Sequence, residues 1–331
     1  MYPAQNDASI GGEVMLIMGV IVQYVGTRFA LGVGRRTEMS GPTWRAAAQW
    51  LPIATTTLAA AAMRQFSMAV ELAIGSSVAC LSLVLGLSSY VSPMRELSPP
   101  RRLWPLVLPA ALFVLLAGFH GSFAWYHALM LLAMGFAFLP AWLDRPFGEA
   151  EVPNAVVHGE AGRPGWWLSA ATGAVLCGIG AWAVARGSVM TSEHHRVLGG
   201  DLMAATVLSP LLLLPALGAG TMAAQNGQMG QVVTSLCGTV LLNLCALLPV
   251  VILLSYAADP VAHSSGAHLR SAPFPLITWR IDCVVLVMLA FSLVPVALGR
   301  WLPGRLESIL LVLVYAIYLM AQAALATRLI N

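Results

Sequence analysis

Long apolar runs separated by short polar breaks make up almost the whole chain. Several of them approach or exceed about 18 residues, the length that an α-helix needs to cross the hydrocarbon core of a bilayer. We therefore predict an all-α membrane protein with ten transmembrane helices. The ten predicted spans are residues 13–33, 44–63, 67–91, 103–119, 124–143, 166–186, 198–223, 228–257, 276–299 and 307–327.

The most polar part of the chain, residues 144–165, divides these spans into two groups of five. Its proline, glycine and glutamate content is typical of a flexible linker. The predicted organisation is a first five-helix repeat at 1–143, the polar linker, and a second five-helix repeat at 166–331. Because each half holds an odd number of spans, the halves must cross the membrane in opposite directions, as in the inverted repeats of many secondary transporters.

The two halves share one stretch of sequence. Residues 50–86 and 213–249 align without a gap at an offset of 163 positions. Matches of alanine and leucine are common in apolar sequence, so the shared proline, glutamine and glycine positions carry the argument. The paired residues include Leu51 and Leu214, Pro52 and Pro215, Ala60 and Ala223, Gln65 and Gln228, Val70 and Val233, Gly75 and Gly238, and Leu81 and Leu244.

Composition and charge support the same class of protein. Hydrophobic residues make up 59% of the 331 residues and charged residues only 9%, whereas about a quarter of a soluble domain is charged. The net charge of +3 gives no indication of a nucleic-acid partner. Eleven of the 17 arginines fall in loops on one side of the predicted membrane, which favours that side as cytoplasmic and places both termini outside. We expect a protein of the bacterial inner membrane whose main partner is the lipid bilayer.

The shared stretch carries two motifs in each half. A Leu-Pro step, Leu51-Pro52 or Leu214-Pro215, is followed in the next span by a small-residue patch at 75–77 or 238–240. These motifs and their spacing resemble those of the cation/calcium exchanger superfamily, the sodium/calcium and proton/calcium antiporters. The resemblance implies ten helices in two inverted repeats and an ion-binding site between them.

The departures from that pattern concern the cation ligands. In the superfamily a glutamate follows each proline as the main ligand, and the second motif supplies a further Asn or Asp. Here the glutamate positions hold Ile53 and Ala216, and the further positions fall on Cys80 and Asn243. Because Ca²⁺ takes about six to eight oxygen ligands, usually with carboxylates among them, these residues argue against Ca²⁺ exchange and indicate a degenerate member that lacks both motif glutamates.

Six other residues are candidates for the site. We predict that Pro52 and Pro215 break their helices, so that freed carbonyls line a cavity; the alternative is a packing kink at each proline. The predicted lining consists of Ser76, Ser77, Thr239 and Asn243. The alternative for the hydroxyls is close helix packing with bonds to their own backbone.

Two acidic residues lie inside predicted spans. Glu71 is a candidate for binding a proton or a small monovalent cation, because an acid within a span is a functional hypothesis by default. The alternative is an interfacial acid paired with Arg64 or Arg45. Asp282 is interpreted as an interfacial charge that pairs with Arg280.

Two functions remain open from the sequence. The first is a secondary transporter or antiporter-like protein not suited to Ca²⁺, with Glu71 as its coupling group. The second is a non-transporting protein that packs against other membrane subunits in a larger complex. The sequence has no nucleophile motif, phosphate-binding loop or paired catalytic carboxylates, so we expect no enzyme, no cofactor and no bound metal.

Overall fold

The computed structural model describes residues 4–36, 42–93, 104–120, 122–143, 166–194, 200–258, 272–273, 276–298 and 303–330. These residues are almost entirely α-helical, as the apolar runs predict. The predicted linker at 144–165 lies outside the described residues. The helices are α1 (Ala4–Arg36), α2 (Pro42–Ala62), α3 (Phe66–Ala79), α4 (Leu85–Val91), α5 (Val107–Ala117), α6 (Trp125–Leu143), α7 (Trp166–His194), α8 (Gly200–Met203), α9 (Ser209–Leu212), α10 (Leu214–Gln225), α11 (Met229–Leu242), α12 (Leu248–Ala257), α13 (Leu276–Ala297) and α14 (Arg305–Ile330).

Short elements of other kinds join the helices, among them two 3₁₀ turns at Trp104–Leu106 and Gly118–His120. Three wide π-helical turns, Cys80–Val84, Ala204–Leu208 and Asn243–Leu247, join α3 to α4, α8 to α9 and α11 to α12. Two strands of two residues each, β1 (Ser122–Phe123) and β2 (Ala272–Pro273), pair antiparallel. Each predicted span therefore coincides with one helix or with helices that continue one another.

Not every helix is long and apolar enough to cross a membrane by itself. Among the described residues four pass that test, a pair bent by 49° would be a fifth, and three shorter helices are apolar. The ten crossings therefore stay a prediction. The four are Phe66–Val91, Ala171–Ser192, Met229–Ala257 and Arg305–Leu325; the bent pair is Ala204–Leu212 with Leu214–Gln225.

Two long helices form the centre of the molecule. We name Phe66–Val91 the first central helix and Met229–Ala257 the second central helix; 94% and 78% of their most apolar windows are buried. The first half of each, α3 or α11, packs against the second half of the other, α12 or α4. The two central helices therefore run antiparallel, the direction that an inverted repeat predicts for this pair.

The turn before each central helix has the same backbone geometry in both halves. Arg64 has φ 62° and Gly227, 163 positions later, has φ 75°. In each case the amide of this residue donates to the carbonyl three positions back at 2.9 Å, and the next amide donates to the carbonyl five positions back at 2.9 or 3.0 Å. This is a Schellman C-cap, which requires a left-handed residue. Glycine adopts that conformation freely, whereas an L-residue such as arginine is strained by about 1 kcal/mol.

The predicted break at Pro215 is present. Helix α9 ends at Leu212 and α10 begins at Leu214, with the 49° bend between them. Pro215 is the second residue of α10. The amides of a helix's first turn have no intrahelical partner, so the missing amide of a proline there removes no hydrogen bond.

The predicted break at Pro52 is wrong, because α2 continues through this residue without interruption. The carbonyl of Pro52 accepts hydrogen bonds from the hydroxyl of Thr56 at 2.8 Å and from the amide of Gln23, on α1, at 3.4 Å. The hydroxyl of Thr55 donates to the carbonyl of Leu51 at 2.8 Å. Hydroxyl and amide groups of this kind satisfy backbone groups near a proline within a membrane helix, so the helix tolerates it.

Helices α1 and α7 pack in almost direct backbone contact. A methyl group added at Gly19 would lie 2.8 Å from the carbonyl oxygen of Gly180, and one added at Gly26 would lie 2.9 Å from that of Gly173. Residues with higher numbers on α1 contact residues with lower numbers on α7, so the two helices are antiparallel. Glycine is required here because any side chain would occupy the space of the other backbone.

The outward surface of several helices is apolar. Large side chains such as Phe136, Met288 and Met320 are 68–71% exposed. A water-soluble monomer rarely exposes such a continuous apolar surface. The same surface is expected where helices face lipid.

Candidate functional site

A cluster of neutral polar side chains joins the two central helices. The Asn243 side-chain amide donates to the hydroxyl of Ser76 at 3.0 Å and to that of Ser77 at 3.2 Å. All three residues are fully buried. We name these three residues the central polar cluster. The sequence placed them together in one site, and the structure brings them into contact across the two halves.

The hydroxyls of this region also bond to their own backbone, which was the alternative reading of them. Ser77 donates to the carbonyl of Ala73 at 2.8 Å, and Thr239 donates to that of Ser235 at 3.1 Å. Thr239 lies one turn before Asn243 on the second central helix, so both residues share a helix face. The hydroxyls therefore serve helix packing and the Asn243 contact together.

Two of the three wide turns begin at the positions that correspond to the superfamily's second ligands. One starts at Cys80 and the other at Asn243, 163 positions apart. Isolated π turns within helices occur frequently at functional sites. Cys80, Ile53 and Ala216 are all buried. The positions expected to hold carboxylates thus contribute a thiol and two apolar side chains to the interior.

A small cavity lies beside Ala216. Its volume is about 20 Å³, and Gln49, Gln231 and Ser235 are among its lining residues. Such a volume holds about one water molecule. The hydroxyl of Ser235 donates to the Oε1 atom of Gln49 at 2.7 Å. Polar groups of α2 and the second central helix therefore bond to each other next to the missing glutamate position.

Glu71 is fully buried on α3, five residues before Ser76. Its interpretation as an interfacial acid paired with Arg64 is not supported, because Arg64 is exposed. The side chain of the other suggested partner, Arg45, lies outside the described residues. Glu71 and Asp282, on α13, lie within hydrogen-bonding reach of each other. Glu71 therefore contacts a second acid within the molecule.

Asp282 is also fully buried, so its assignment as an interfacial charge is wrong. Its Oδ1 atom accepts a hydrogen bond from the amide of Gln322 on α14, and Tyr318 of the same helix lies next to it. Arg280 precedes Asp282 by two positions on α13, and residues two apart on a helix do not face each other. The side chain of Arg280 lies outside the described residues.

Comparisons with known proteins agree with this geometry. The sequence model of the family described as "Sodium/calcium exchanger protein" matches residues 164–324. The second half of the chain is therefore similar in sequence to this family. No curated protein sequence matches the chain significantly.

Solved structures of the sodium-calcium exchanger NCX_Mj have the same fold as this chain. The structure soaked with 10 mM Na⁺ and zero Ca²⁺ has a TM-score of 0.57 and 22% identity, over 93% of this chain and 98% of that one. The structure soaked with zero Na⁺ and Ca²⁺ has a TM-score of 0.56 and 22% identity, over 96% and 99% of the two chains. The chain therefore has the fold of these exchanger structures, and its long apolar helices are those of a membrane protein.

Sequence reasoning missed two features of this site. Gln23 reaches from α1 to Thr56 with a hydrogen bond of 2.7 Å, and Gln322 reaches from α14 to Asp282. Each is an amide within an apolar run, which is the signal that could have identified both. Neither lies in the duplicated stretch.

Proposed function

We propose that this chain is a secondary transporter of the exchanger fold that moves a proton or a small monovalent cation and does not move Ca²⁺. One observation carries the proposal: the central polar cluster is neutral, and the superfamily's glutamate positions are occupied by buried Ile53 and Ala216. Ca²⁺ in proteins is held by about six to eight oxygens, usually including carboxylates. An amide and a few hydroxyls are too weak a ligand set for that ion.

Buried neutral oxygens that a weakly charged substrate can use remain in the central polar cluster and on α1. Asn243 Oδ1 and Gln23 Oε1 are buried, and neither has a hydrogen-bond partner among the described residues. A buried carbonyl oxygen without a partner costs free energy. Binding of a proton carrier, a water molecule or a monovalent cation at these oxygens would remove that cost.

Glu71 supplies the ionisable group of the proposal. It lies on the helix that carries Ser76 and Ser77, and five residues of helix rise correspond to about 7.5 Å. Acids buried within membrane helices commonly form proton or ion pathways. We assign Glu71 as the coupling group and the central polar cluster, with Thr239, as the lining of the substrate site.

The test uses purified full-length protein in liposomes with an imposed pH gradient and a series of monovalent cations. We expect proton-coupled flux in the wild type and its loss in Glu71→Gln. Thr234→Val is the matched control, because Thr234 occupies the position equivalent to Glu71 in the other half. Unchanged flux in Glu71→Gln would exclude Glu71 as the coupling group.

The same liposomes test the exclusion of Ca²⁺. We expect no saturable uptake of ⁴⁵Ca²⁺ by the wild type. Saturable uptake would mean that residues other than Ile53, Cys80, Ala216 and Asn243 bind Ca²⁺.

The apolar character of Ile53 and Ala216 favours a second candidate, a non-transporting subunit of a larger membrane complex. Purification in mild detergent separates the two. A stoichiometric partner and no flux would favour the subunit, whereas a single polypeptide with ion-dependent thermal stability would favour the transporter.

A further inference from the structure

The inward face of α14 is polar, although the helix as a whole is apolar and mostly exposed. Only 22% of its most apolar window is buried. The buried residues among the described side chains of α14 are Ser308, Tyr315, Tyr318 and Gln322. A lipid-facing helix normally buries an apolar stripe against its neighbours. The polar side chains of this stripe need hydrogen-bonding partners in the interior. Tyr318 and Gln322, towards the C-terminal end of the helix, lie next to Asp282.

The acidic pair lies where α3, α13 and α14 meet. Glu71 and Asp282 are fully buried and within hydrogen-bonding reach of each other, and Gln322 donates to Asp282 Oδ1. Two carboxylates in contact repel strongly in an apolar interior unless a proton or a cation lies between them. The geometry alone therefore requires a bound positive species.

We propose that Glu71 and Asp282 hold one shared proton, so that the proton-binding unit of this protein is a carboxyl pair across α3 and α13 and not Glu71 alone. The pair titrates as a unit because each carboxyl changes the charge felt by the other. Asp282 lies outside the duplicated stretch, so this site has no counterpart at the equivalent place in the other half. There Thr234 accepts a hydrogen bond from the indole of Trp104 at 3.2 Å.

A proton fits the surroundings better than a metal cation. The group that Gln322 directs at Asp282 is the amide N–H, a donor, whereas a metal ion would draw the carbonyl oxygen of the same side chain. The other titratable groups that face the pair are the Tyr318 phenol and the Cys283 thiol, with Tyr315 behind them. Both are neutral donors at ordinary pH.

Charged residues also occur on neighbouring helices. Arg45, Asp201 and Arg280 belong to α2, α8 and α13, which pack against α3. Their side chains lie outside the described residues. Infrared spectroscopy detects the carboxyl proton itself, so its result does not depend on where those charges are.

The stripe on α14 connects this pair to the central site. The rings of Tyr318 and Tyr315 are 5.9 Å apart, and Tyr315 lies near Cys80, where the first wide turn begins. One face of α14 therefore runs from Asp282 to the second-ligand position at Cys80. A role for this link in transport rests on the proposed function, whereas the shared proton does not.

Infrared difference spectroscopy, alkaline minus neutral, tests the shared proton in purified full-length protein. We expect a protonated-carboxyl band that disappears on alkaline titration in the wild type. Glu71→Gln and Asp282→Asn should each remove or shift it, and Thr234→Val should leave it unchanged. A wild type without the band, or an unchanged band in Asp282→Asn, would overturn the shared proton. Loss of the band on adding Na⁺ at constant pH would assign the pair to a metal cation and also overturn it.

Thermal stability and flux separate this proposal from the previous one. Between neutral and alkaline pH the wild type should lose thermal stability, because folding retains a proton that the unfolded chain releases; both single variants should lose this dependence. An equal pH dependence of thermal stability in the variants would count against the pair.

In liposomes Asp282→Asn should lose proton-coupled flux as Glu71→Gln does. Flux lost only in Glu71→Gln would refute the pair and leave the proposed function, whereas absent wild-type flux with the infrared band intact would refute the proposed function alone.

Discussion

Gly180→Ala tests the close contact between α1 and α7. The added methyl group would lie 2.6 Å from the Cγ atom of Gln23 and 2.7 Å from the carbonyl oxygen of Gly19. The second of these atoms belongs to backbone, which cannot turn aside as a side chain can. The two helices must therefore separate, and Gln23 must shift away from its bonds to α2.

The expected magnitude follows from the sizes of these overlaps. Inserting a methyl group into a well-packed interior costs about 1–3 kcal/mol. Gly178 is the matched control, because it lies on the same helix, is exposed, and has nothing within 4 Å of an added methyl group. Gly178→Ala should stabilise the helix by up to about 1 kcal/mol, the difference in helix propensity between the two residues.

Thermal unfolding of the two purified variants in the same detergent gives the comparison. At about 2 °C per kcal/mol for a chain of this size, Gly180→Ala should unfold about 2–6 °C below the wild type. Gly178→Ala should unfold at or slightly above the wild type. If Gly180→Ala were as stable as Gly178→Ala, α1 and α7 would not be in backbone contact, and the close packing of these two helices would be refuted.

Three further predictions concern stability and use the same assay. Pro52→Ala should raise stability by up to about 3 kcal/mol, because α2 is continuous and gains an amide hydrogen bond, whereas Pro215→Ala should change it much less; equal effects would contradict the different geometries. Asn243→Ala should lower stability by about 1–2 kcal/mol through loss of its two hydrogen bonds to serine, and an unchanged transition would show that these bonds are absent in solution. A double-mutant cycle between Trp104→Phe and Thr234→Val should give a coupling of about 0.5–1.5 kcal/mol, and no coupling would exclude their contact.

The sequence predicted the positions of the helices well, because hydropathy reports directly on which segments avoid water. The offset of 163 was also informative, because it predicts the same backbone conformation at Gln65 and at Gln228. The two turns that end at these residues do have the same hydrogen bonds. The cluster of Ser76, Ser77 and Asn243 was found because a family pattern placed them together. Periodicity alone relates residues within a helix and gives no information on pairing between helices.

That limit explains the errors. The sequence predicts that Pro52 acts like Pro215, but the hydroxyl of Thr56 and the amide of Gln23 both bond to the carbonyl of Pro52 in a continuous helix. The Gln23 bond comes from another helix, so no local pattern predicts it. Asp282 was assigned to the interface because it lies near a helix end and close in sequence to Arg280. Its actual partners, Glu71 and Gln322, are separated from it by 211 and 40 positions, and no local signal connects them.

The two left-handed turns have a consequence for how the protein sits in its bilayer. Because the central helices run antiparallel, the turn at Arg64 and the turn at Gly227 lie at opposite faces of the membrane. The two turns have the same hydrogen bonds, so their backbones alone do not distinguish the two ends of the central helices. One turn carries a permanent cation on a strained residue and the other carries only hydrogen, so a single side chain makes these two turns chemically unequal.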